Sequence, residues 1–382
     1  MKKLSELRTE IDSVDAQLVK LLERRMAIAD EVAAVKHDRG SVVTDLGRER
    51  QILTSVSEAV RPDLARGVRT VYSTIFNVSK ARQRLRVGGN PGFEEDVDRA
   101  TAESGAAFPE LAIVACAGDD GSFAQQATSR MFAVPTILYF NSFEKVFEAV
   151  EKDLCPYGVL PIENSSAGSV TAVYDLMQRH HFRIVRGIKL KVDHVLLANK
   201  GVELKDVKCV ASHPHALAQC SGFLKRNPQL KVEPEPNTAI AARHLAESGA
   251  KDCAVVASRA CAELYGLNVL AEDIADSAYN YTRFICISRK LEIYPKANKS
   301  SMMCSLQHRP GALNEVISKF AAIGVNLTKL ESRPVPGSAF EFRFVFEFDS
   351  TPANPEVRAL LAEMDADPAV EHFTFLGAYE ET

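Results

Sequence analysis

Apolar residues recur every three or four positions at the start of the chain, at Leu4, Leu7, Ile11, Val14, Leu18, Leu21, Ile28, Val32 and Val35. The spacing predicts one amphipathic helix over residues 4–36. Such a helix is ~50 Å long at 1.5 Å per residue. That is too long for one small domain to cover, so the pattern predicts packing against a second copy. Arg25 falls in the apolar seam, while Arg8 and Lys36 lie on the flanking stripe through Asp15, Leu22 and Ala29. Edge charges of a coiled coil account for Arg8 and Lys36, but an arginine in the seam is costly to bury without an anionic partner. Gly40 breaks the helix, and Thr44 or Asp45 caps a second that carries Ile52, Leu53, Val56 and Val60 and stops at Arg61-Pro62. A third starts near Asp63, with Val68, Tyr72, Ile75 and Ser79 on one face and Gln83 continuing it. Residues 88–108, rich in Gly, Pro and acid with little periodicity, read as a linker.

From Leu111 the texture changes. Apolar runs near 111–116, 157–162, 182–188, 194–198, 207–211, 253–257 and 283–288 alternate with helical patterns, which predicts open sheets with helices on their faces. The run Tyr157–Ile162 ends in Glu163-Asn164-Ser165 and a helical pattern resumes at Val170. This predicts a strand–turn–helix junction, either an anion seat at the helix start or a plain turn with Ser169 as N-cap. Polar clusters recur at other strand ends: Asp120-Gly-Ser122, Ser212-His213, Asn237-Thr238 and Asn280-Tyr-Thr282. Ligands gather at the carboxyl ends of strands in such sheets. After Pro295 the order strand, helix, strand, strand, helix, strand is predicted, with the first helix opening at Gly311-Ala312-Leu313 and closing at Gly324. Phe340, Phe342, Phe344, Phe346 and Phe348 mark a half-buried strand.

At 382 residues the chain is too long for one core. A net charge of −4 gives no reason to expect a nucleic-acid partner. The N-terminus lacks a signal-peptide core and no 18-residue apolar run occurs, so a cytoplasmic protein off the membrane is expected. The eight cysteines, without any CxxC pair, read as reduced and buried. His180-His181 and His213-Pro-His215 read as surface or polar-site histidines; no metal and no cofactor is expected.

Polar residues on otherwise apolar helical faces predict a site for a compact dianion. Residues 4–86 resemble the all-helical, intertwined-dimer class of chorismate mutase, with its pattern matched at Arg8, Arg25, Lys36, Asp45, Arg48, Glu49, Ser79 and Gln83. The resemblance implies that Arg8 of a partner chain, Arg25 and Arg48 grip the carboxylates of chorismate, arginine's planar fork suiting both oxygens. It also implies that Lys36 and Gln83 hydrogen-bond the ether oxygen, which gains charge as the C–O bond breaks. A Claisen rearrangement asks for little else than a substrate held in its reactive chair.

Residues 109–291 resemble prephenate dehydratase, a two-lobed fold similar to periplasmic binding proteins. The matching pieces are Gly121-Ser122-Phe123, Pro161–Ser165 with Gly168-Ser169, Asp193-His194, Ser212-His-Pro214 with Gln219, Asn237-Thr238-Ala239, Leu264-Tyr-Gly266 and Thr282-Arg283-Phe284. A β-branched residue opening a strand would account for Thr282 alone; the family ascribes catalysis to this hydroxyl. Arg283 and Glu163 are expected to tune it, and Asn164, Ser165, Ser169, Asn237 and Thr238 to orient prephenate. The loop Ala117–Ala124 departs from the family, lacking the usual proline after its first glycine and carrying Ala124 for a common hydroxyl. Residues 299–380 resemble the ferredoxin-like ACT domain, with Gly311-Ala312-Leu313 and Glu331-Ser332-Arg333 in the phenylalanine-sensing motifs; a dimerisation module without ligand is the alternative. The expectation is a multidomain enzyme, mutase at 1–87, linker at 88–108, dehydratase and sensor following. It makes phenylpyruvate from chorismate through prephenate, with phenylalanine as effector and a homodimer as the least assembly. Arogenate as substrate, or a binding protein with a dead cleft, are the rival readings.

Overall fold

The computed structural model describes residues 2–38, 46–88, 91–335 and 341–382. The break at Gly40, the cap at Thr44 or Asp45, the expected site residue Asp45 and Phe340 lie outside the described residues, as does the side chain of Lys36. The chain divides into two compact units: Met1–Asp96 with Met303–Phe346 and Pro352–Thr374, and Val97–Met302 with Glu347–Thr351 and Phe375–Thr382. Each is described by itself.

The first unit begins with α1 (Leu4–Asp38), α2 (Leu46–Glu58) and α3 (Ala65–Gly88). Helix α3 packs against both others. Ala29, Ala33 and Phe76 are buried, but Leu4, Leu7, Ile11, Val14, Leu18, Leu21, Ile28, Val32 and Val35 are all exposed. Thus the seam that makes α1 a helix is not what folds it against its own chain.

The expected linker is corrected by α4 (Pro91–Glu103). Phe93, Val97 and Ala100, at i, i+4 and i+7, are buried, a short apolar stripe hidden by the Gly-Pro start and the acidic run.

The second unit holds two sheets. The first contains β1 (Leu111–Ala117), β2 (Val134–Phe140), β3 (Tyr157–Asn164), the short β4 (Gly168–Ser169) and β5 (Arg183–Lys191), with α5 (Phe123–Met131), α6 (Phe143–Glu151) and α7 (Thr171–Arg179) between them. The second is formed by β6 (His194–Ala198), β7 (Cys209–Ser212), β8 (Lys231–Pro234), β9 (Cys253–Ser258) and β10 (Asn268–Ala271). Its helices are α8 (Pro214–Gln219), α9 (Ser221–Arg226), α10 (Thr238–Ser248) and α11 (Arg259–Tyr265). The chain then returns to the first sheet as β11 (Tyr281–Ser288), giving the orders β5-β11-β3-β1-β2 and β10-β6-β9-β7-β8. Alternation along the second sheet decides which helices cover it. Leu196, Ala198, Ala254 and Val256 pack with Leu217 and Phe223, while Val195, Leu197, Val255 and Ala257 pack with Ala241 and Cys261. The short β4 and β10 escaped the sequence reading, and so did β2 and β8. The latter two are edge strands, and each contains a proline that such positions tolerate.

The expectation of reduced cysteines fails at one pair. Cys209 and Cys253 face each other in register on the parallel strands β7 and β9, with Cα atoms 4.7 Å apart, and are disulfide-bonded. The spacing of neighbouring strands brings residues far apart in sequence within bonding reach. The other six cysteines are free and buried.

The C-terminal segment runs β12 (Lys299–Leu306), α12 (Ala312–Ala322), β13 (Leu327–Pro334), β14 (Phe342–Phe348), α13 (Pro355–Ala366) and β15 (Val370–Glu381), with strand order β13-β14-β12-β15.

Candidate active sites

On the helices, Arg25 donates from Nη1 to Ser79 Oγ at 2.7 Å and lies over the Phe76 ring at 5.5 Å. Ser79 and Gln83, one turn apart on α3, are both buried, and Gln83 Oε1 has no hydrogen-bond partner among the described residues. Glu49 of α2 pairs with Lys80 at 3.1 Å. Arg48 of α2 and Arg8 of α1 are exposed. Arg8 and Arg25 are seventeen positions apart on one continuous helix, hence ~25 Å along its axis. No single small ligand bridges that distance within one chain.

In the second unit, Thr282, the second residue of β11, lies directly opposite Asn164 at the end of β3. Asn164 fixes the chemistry of this pair. Its Oδ1 accepts from the backbone N–H groups of Ser166 and Ala167, each at 2.9 Å. The Nδ2 end must therefore point the other way, and it donates to Thr282 Oγ1 at 2.9 Å and to Asn280 Oδ1 at 2.9 Å. A hydroxyl that accepts from an amide keeps its own proton for another acceptor. Asn280 in turn donates to Gln219 Oε1 at 3.2 Å, and that oxygen lies 2.9 Å from His194 Nε2. Since Gln219 Oε1 can only accept, His194 carries its proton on Nε2. Burial holds its pKa below the usual value, which keeps the ring neutral.

Several expected contacts are corrected. The stretch after Glu163 is a hairpin, not a strand–turn–helix junction. Ser169 sits in β4 opposite Glu163, and the N-cap of α7 is Val170, without a side-chain hydrogen bond. Ser165 Oγ is spent on the backbone, donating to Tyr279 O at 2.8 Å and accepting from Tyr281 N at 2.9 Å. Ser212 is fully buried and donates to Val256 O at 2.6 Å. Ser122 and Asn237 accept from Gln125 N and Ile240 N as N-caps of α5 and α10, with Thr238 following Asn237 as the first residue of α10. Phe284 belongs to the core of the first sheet. Arg283, expected beside Thr282, points away from it, because successive side chains on a strand take opposite faces. Its guanidinium is buried among Glu347, Glu381 and Tyr379, with Glu163 more distant at 3.8 Å.

The departed loop is held firmly. Asp119 pairs with Arg243 of α10, and Asp120 accepts from Tyr139 through its carboxylate and from Tyr265 through its carbonyl. The Gly121 carbonyl accepts from Ser258 Oγ at 2.7 Å. Gly121 has φ +83°, and a Cβ there would lie 2.7 Å from Cys261 Sγ. Gly121→Ala is therefore expected to cost about 1–3 kcal/mol through backbone strain. A thermal melt would register that loss together with a fall in turnover at the Thr282 site.

In the C-terminal segment, a cavity of about 320 Å³ is lined by Ser305, Gln307, Arg309, Ala312, Leu313 and Phe342, among others. Gly311 precedes α12 as its left-handed N-cap. Glu331, Ser332 and Arg333 lie on β13, where Arg333 pairs with Glu331 at 3.2 Å, and do not line this cavity.

Residues 7–84 match the family chorismate mutase type II, and residues 114–292 match prephenate dehydratase. The bifunctional chorismate mutase/prephenate dehydratase of Enterobacter agglomerans is 30% identical over 370 residues, which is 94% of this chain and 92% of that one. The chain belongs to this bifunctional family. It is an enzyme that rearranges chorismate to prephenate and converts prephenate to phenylpyruvate with loss of CO2 and water. Arogenate dehydratase 2 of Petunia hybrida is 38% identical over 268 residues, 66% of this chain and 68% of that one. The crystal structure of the prephenate dehydratase of Arthrobacter aurescens in complex with L-Phe superposes with a TM-score of 0.63 at 33% identity. It covers 70% of this chain and 89% of that one. Among the described residues no group of side chains suits a metal ion, and no helix is long and apolar enough to cross a membrane.

Proposed function

We propose that the two reactions occupy the two sites described above, with the mutase spanning 1–87 and the dehydratase 109–291. In the dehydratase, Thr282 donates its hydroxyl proton toward the departing ring hydroxyl of prephenate. As the carboxylate leaves as CO2, its bonding electrons enter the ring and expel that oxygen, which departs as water with the Thr282 proton, and solvent then returns a proton to Thr282. The observation that carries this reading is Asn164, whose amide is oriented by two backbone donors so that Thr282 can only accept from it. A hydroxyl is a weak acid, so its value lies in being aimed. Glu163 and the surfaces around Ser169 and Thr238 frame the carboxylates and the keto group.

The mutase works as a homodimer at least. Arg8 stands ~25 Å along α1 from Arg25, and the apolar seam of α1 is exposed along that length. A second copy laid along α1 supplies both the cover and the missing arginine. Arg48 and Lys36 complete the site for chorismate.

The C-terminal segment 299–380 is a ferredoxin-like ACT module that senses phenylalanine. Its cavity beside Ala312 and Leu313 suits one amino acid, and Ser305 Oγ inside it is buried without a partner. The phenylalanine complex of the Arthrobacter enzyme favours that ligand. We place the enzyme in the cytoplasm. Purified protein given chorismate alone should form phenylpyruvate, and added phenylalanine should slow it. Prephenate accumulating without phenylpyruvate would overturn the dehydratase reading, and indifference to phenylalanine would overturn the sensor. The name of the Petunia relative keeps arogenate as a second substrate reading; side-by-side kcat/KM for prephenate and arogenate decides it.

A further inference from the structure

Asn280 belongs to the polar cluster that ends in Thr282, but no role has been assigned to it. It is 2% exposed. Its Oδ1 accepts from Asn164, its Nδ2 donates to Gln219, and its carbonyl accepts from Val192 N at 2.7 Å. Asn164 and Thr282 lie on the first sheet. Gln219 ends α8 and His194 opens β6, both in the second lobe. Asn280 lies in the return crossing, and Val192 in the outward one. The hydrogen bonds therefore run from the second lobe, through both crossings, to the Thr282 hydroxyl.

We propose that Asn280 is a positioning residue for dehydration, linking the orientation of Thr282 to the second lobe. The proposal rests on the reading of Thr282 as proton donor. Neither end of Asn280 is free to turn. With His194 donating to Gln219 Oε1, that oxygen takes a second proton from Asn280 Nδ2, which leaves Asn280 Oδ1 to accept from Asn164. Reversing the Asn280 amide would set two N–H groups against each other at Asn164 and two oxygens against each other at Gln219. A buried network with one polarity fixes the geometry of its last member. A shift of the second lobe would move Gln219, then Asn280, then the Asn164 amide that Thr282 leans on.

The test uses the full-length enzyme, with mutase turnover as the check on folding. Asn280→Ala is expected to lower the dehydratase kcat about 10- to 100-fold through misplacement of the hydroxyl, with KM for prephenate little changed. Mutase turnover should stay at the wild-type level. Asn280→Asp gives a readout that a merely structural role would not move. The ionised carboxyl accepts at both ends and opposes Gln219 Oε1. Once protonated, it both accepts from Asn164 and donates to Gln219, as the amide does. Its kcat relative to wild type should therefore rise as pH falls through the pKa of the introduced carboxyl. A wild-type kcat in Asn280→Ala, or a pH-independent ratio for Asn280→Asp, would overturn the proposal. Should Asn280→Ala lose both activities, the pH profile of Asn280→Asp decides alone. Failure of the underlying reading looks different, because Thr282→Ala itself would then keep near-wild-type conversion of prephenate to phenylpyruvate.

Discussion

Thr282→Ala is expected to lower conversion of prephenate to phenylpyruvate by roughly 10²–10⁴-fold, the range for losing a positioned proton donor, while chorismate still becomes prephenate at the wild-type rate. Thr282→Ser should retain most of the activity, since the hydroxyl and the Asn164 donor both remain. A sharper form of the test is Asn164→Asp, which hardly changes shape. One carboxylate oxygen still accepts from Ser166 and Ala167. The other, now facing Thr282, can only accept, so the hydroxyl must turn inward and give its proton to the carboxylate. Activity should then approach that of Thr282→Ala although Thr282 is present. Near-full turnover by Thr282→Ala would remove that residue from the mechanism. A wild-type rate in Asn164→Asp would show that the direction of the hydroxyl does not matter.

The elements of this chain were more legible than its side-chain contacts. The long first helix, the three-helix start and the C-terminal strand–helix order could be read from periodicity because each carries apolar residues at a regular spacing, even where, as on α1, that face is exposed. What failed to show was local. Strand β2 carries Pro135 on an edge, where no ladder partner is lost. Helix α4 buries only three small or aromatic positions among acids. Motifs told where polar residues cluster but not where each hydroxyl is spent. Ser165 and Ser212 both sit in such clusters, yet their oxygens are spent on backbone groups, and the one Ser212 satisfies would otherwise be buried unpaired. Asn280 and His194 carried a usable signal, since each is a polar residue where the chain enters a strand after crossing from one sheet to the other. Their partners lie 61 and 25 positions away in the chain, beyond the reach of any spacing argument.

Arg283→Met is expected to be the most destabilising single change in the second unit. The Arg283 side chain is 7% exposed, Glu347 3% and Glu381 5%. Arg283 donates to Glu347 at 2.5 Å, to Glu381, and to the Tyr379 hydroxyl at 2.8 Å. Lys299 adds a second cation at 3.0 Å from Glu381. Burial alone pulls the guanidinium pKa down, yet Tyr379, Glu347 and Glu381 outweigh it and hold it above its usual value. Lys189 adds a third cation, also 3.0 Å from Glu381, so Glu381 keeps cations when Arg283 is removed, whereas Glu347 loses the one at 2.5 Å from it. Breaking one member of a buried pair costs about 3–5 kcal/mol. Arg283→Lys should recover only part of this, because an ammonium cannot fork between two carboxylates and a phenol. Adding Glu347→Gln to Arg283→Met should restore much of the loss, since no charge is then stranded. The cluster also sets a pH dependence. Burial works against the Glu381 carboxylate, but Arg283 and Lys299 hold its pKa below the ordinary 4.5. Its contribution is therefore complete above that value and declines as pH falls through the lowered one. Urea denaturation of the three variants, with dehydratase turnover read in parallel, checks each step. Equal stability of Arg283→Met and the double variant would show that Glu347 is not the charge left stranded. If the cluster stands, Thr282 sits next to it on the same strand, so the catalytic hydroxyl and the buried charges share one stretch of backbone with their side chains on opposite faces.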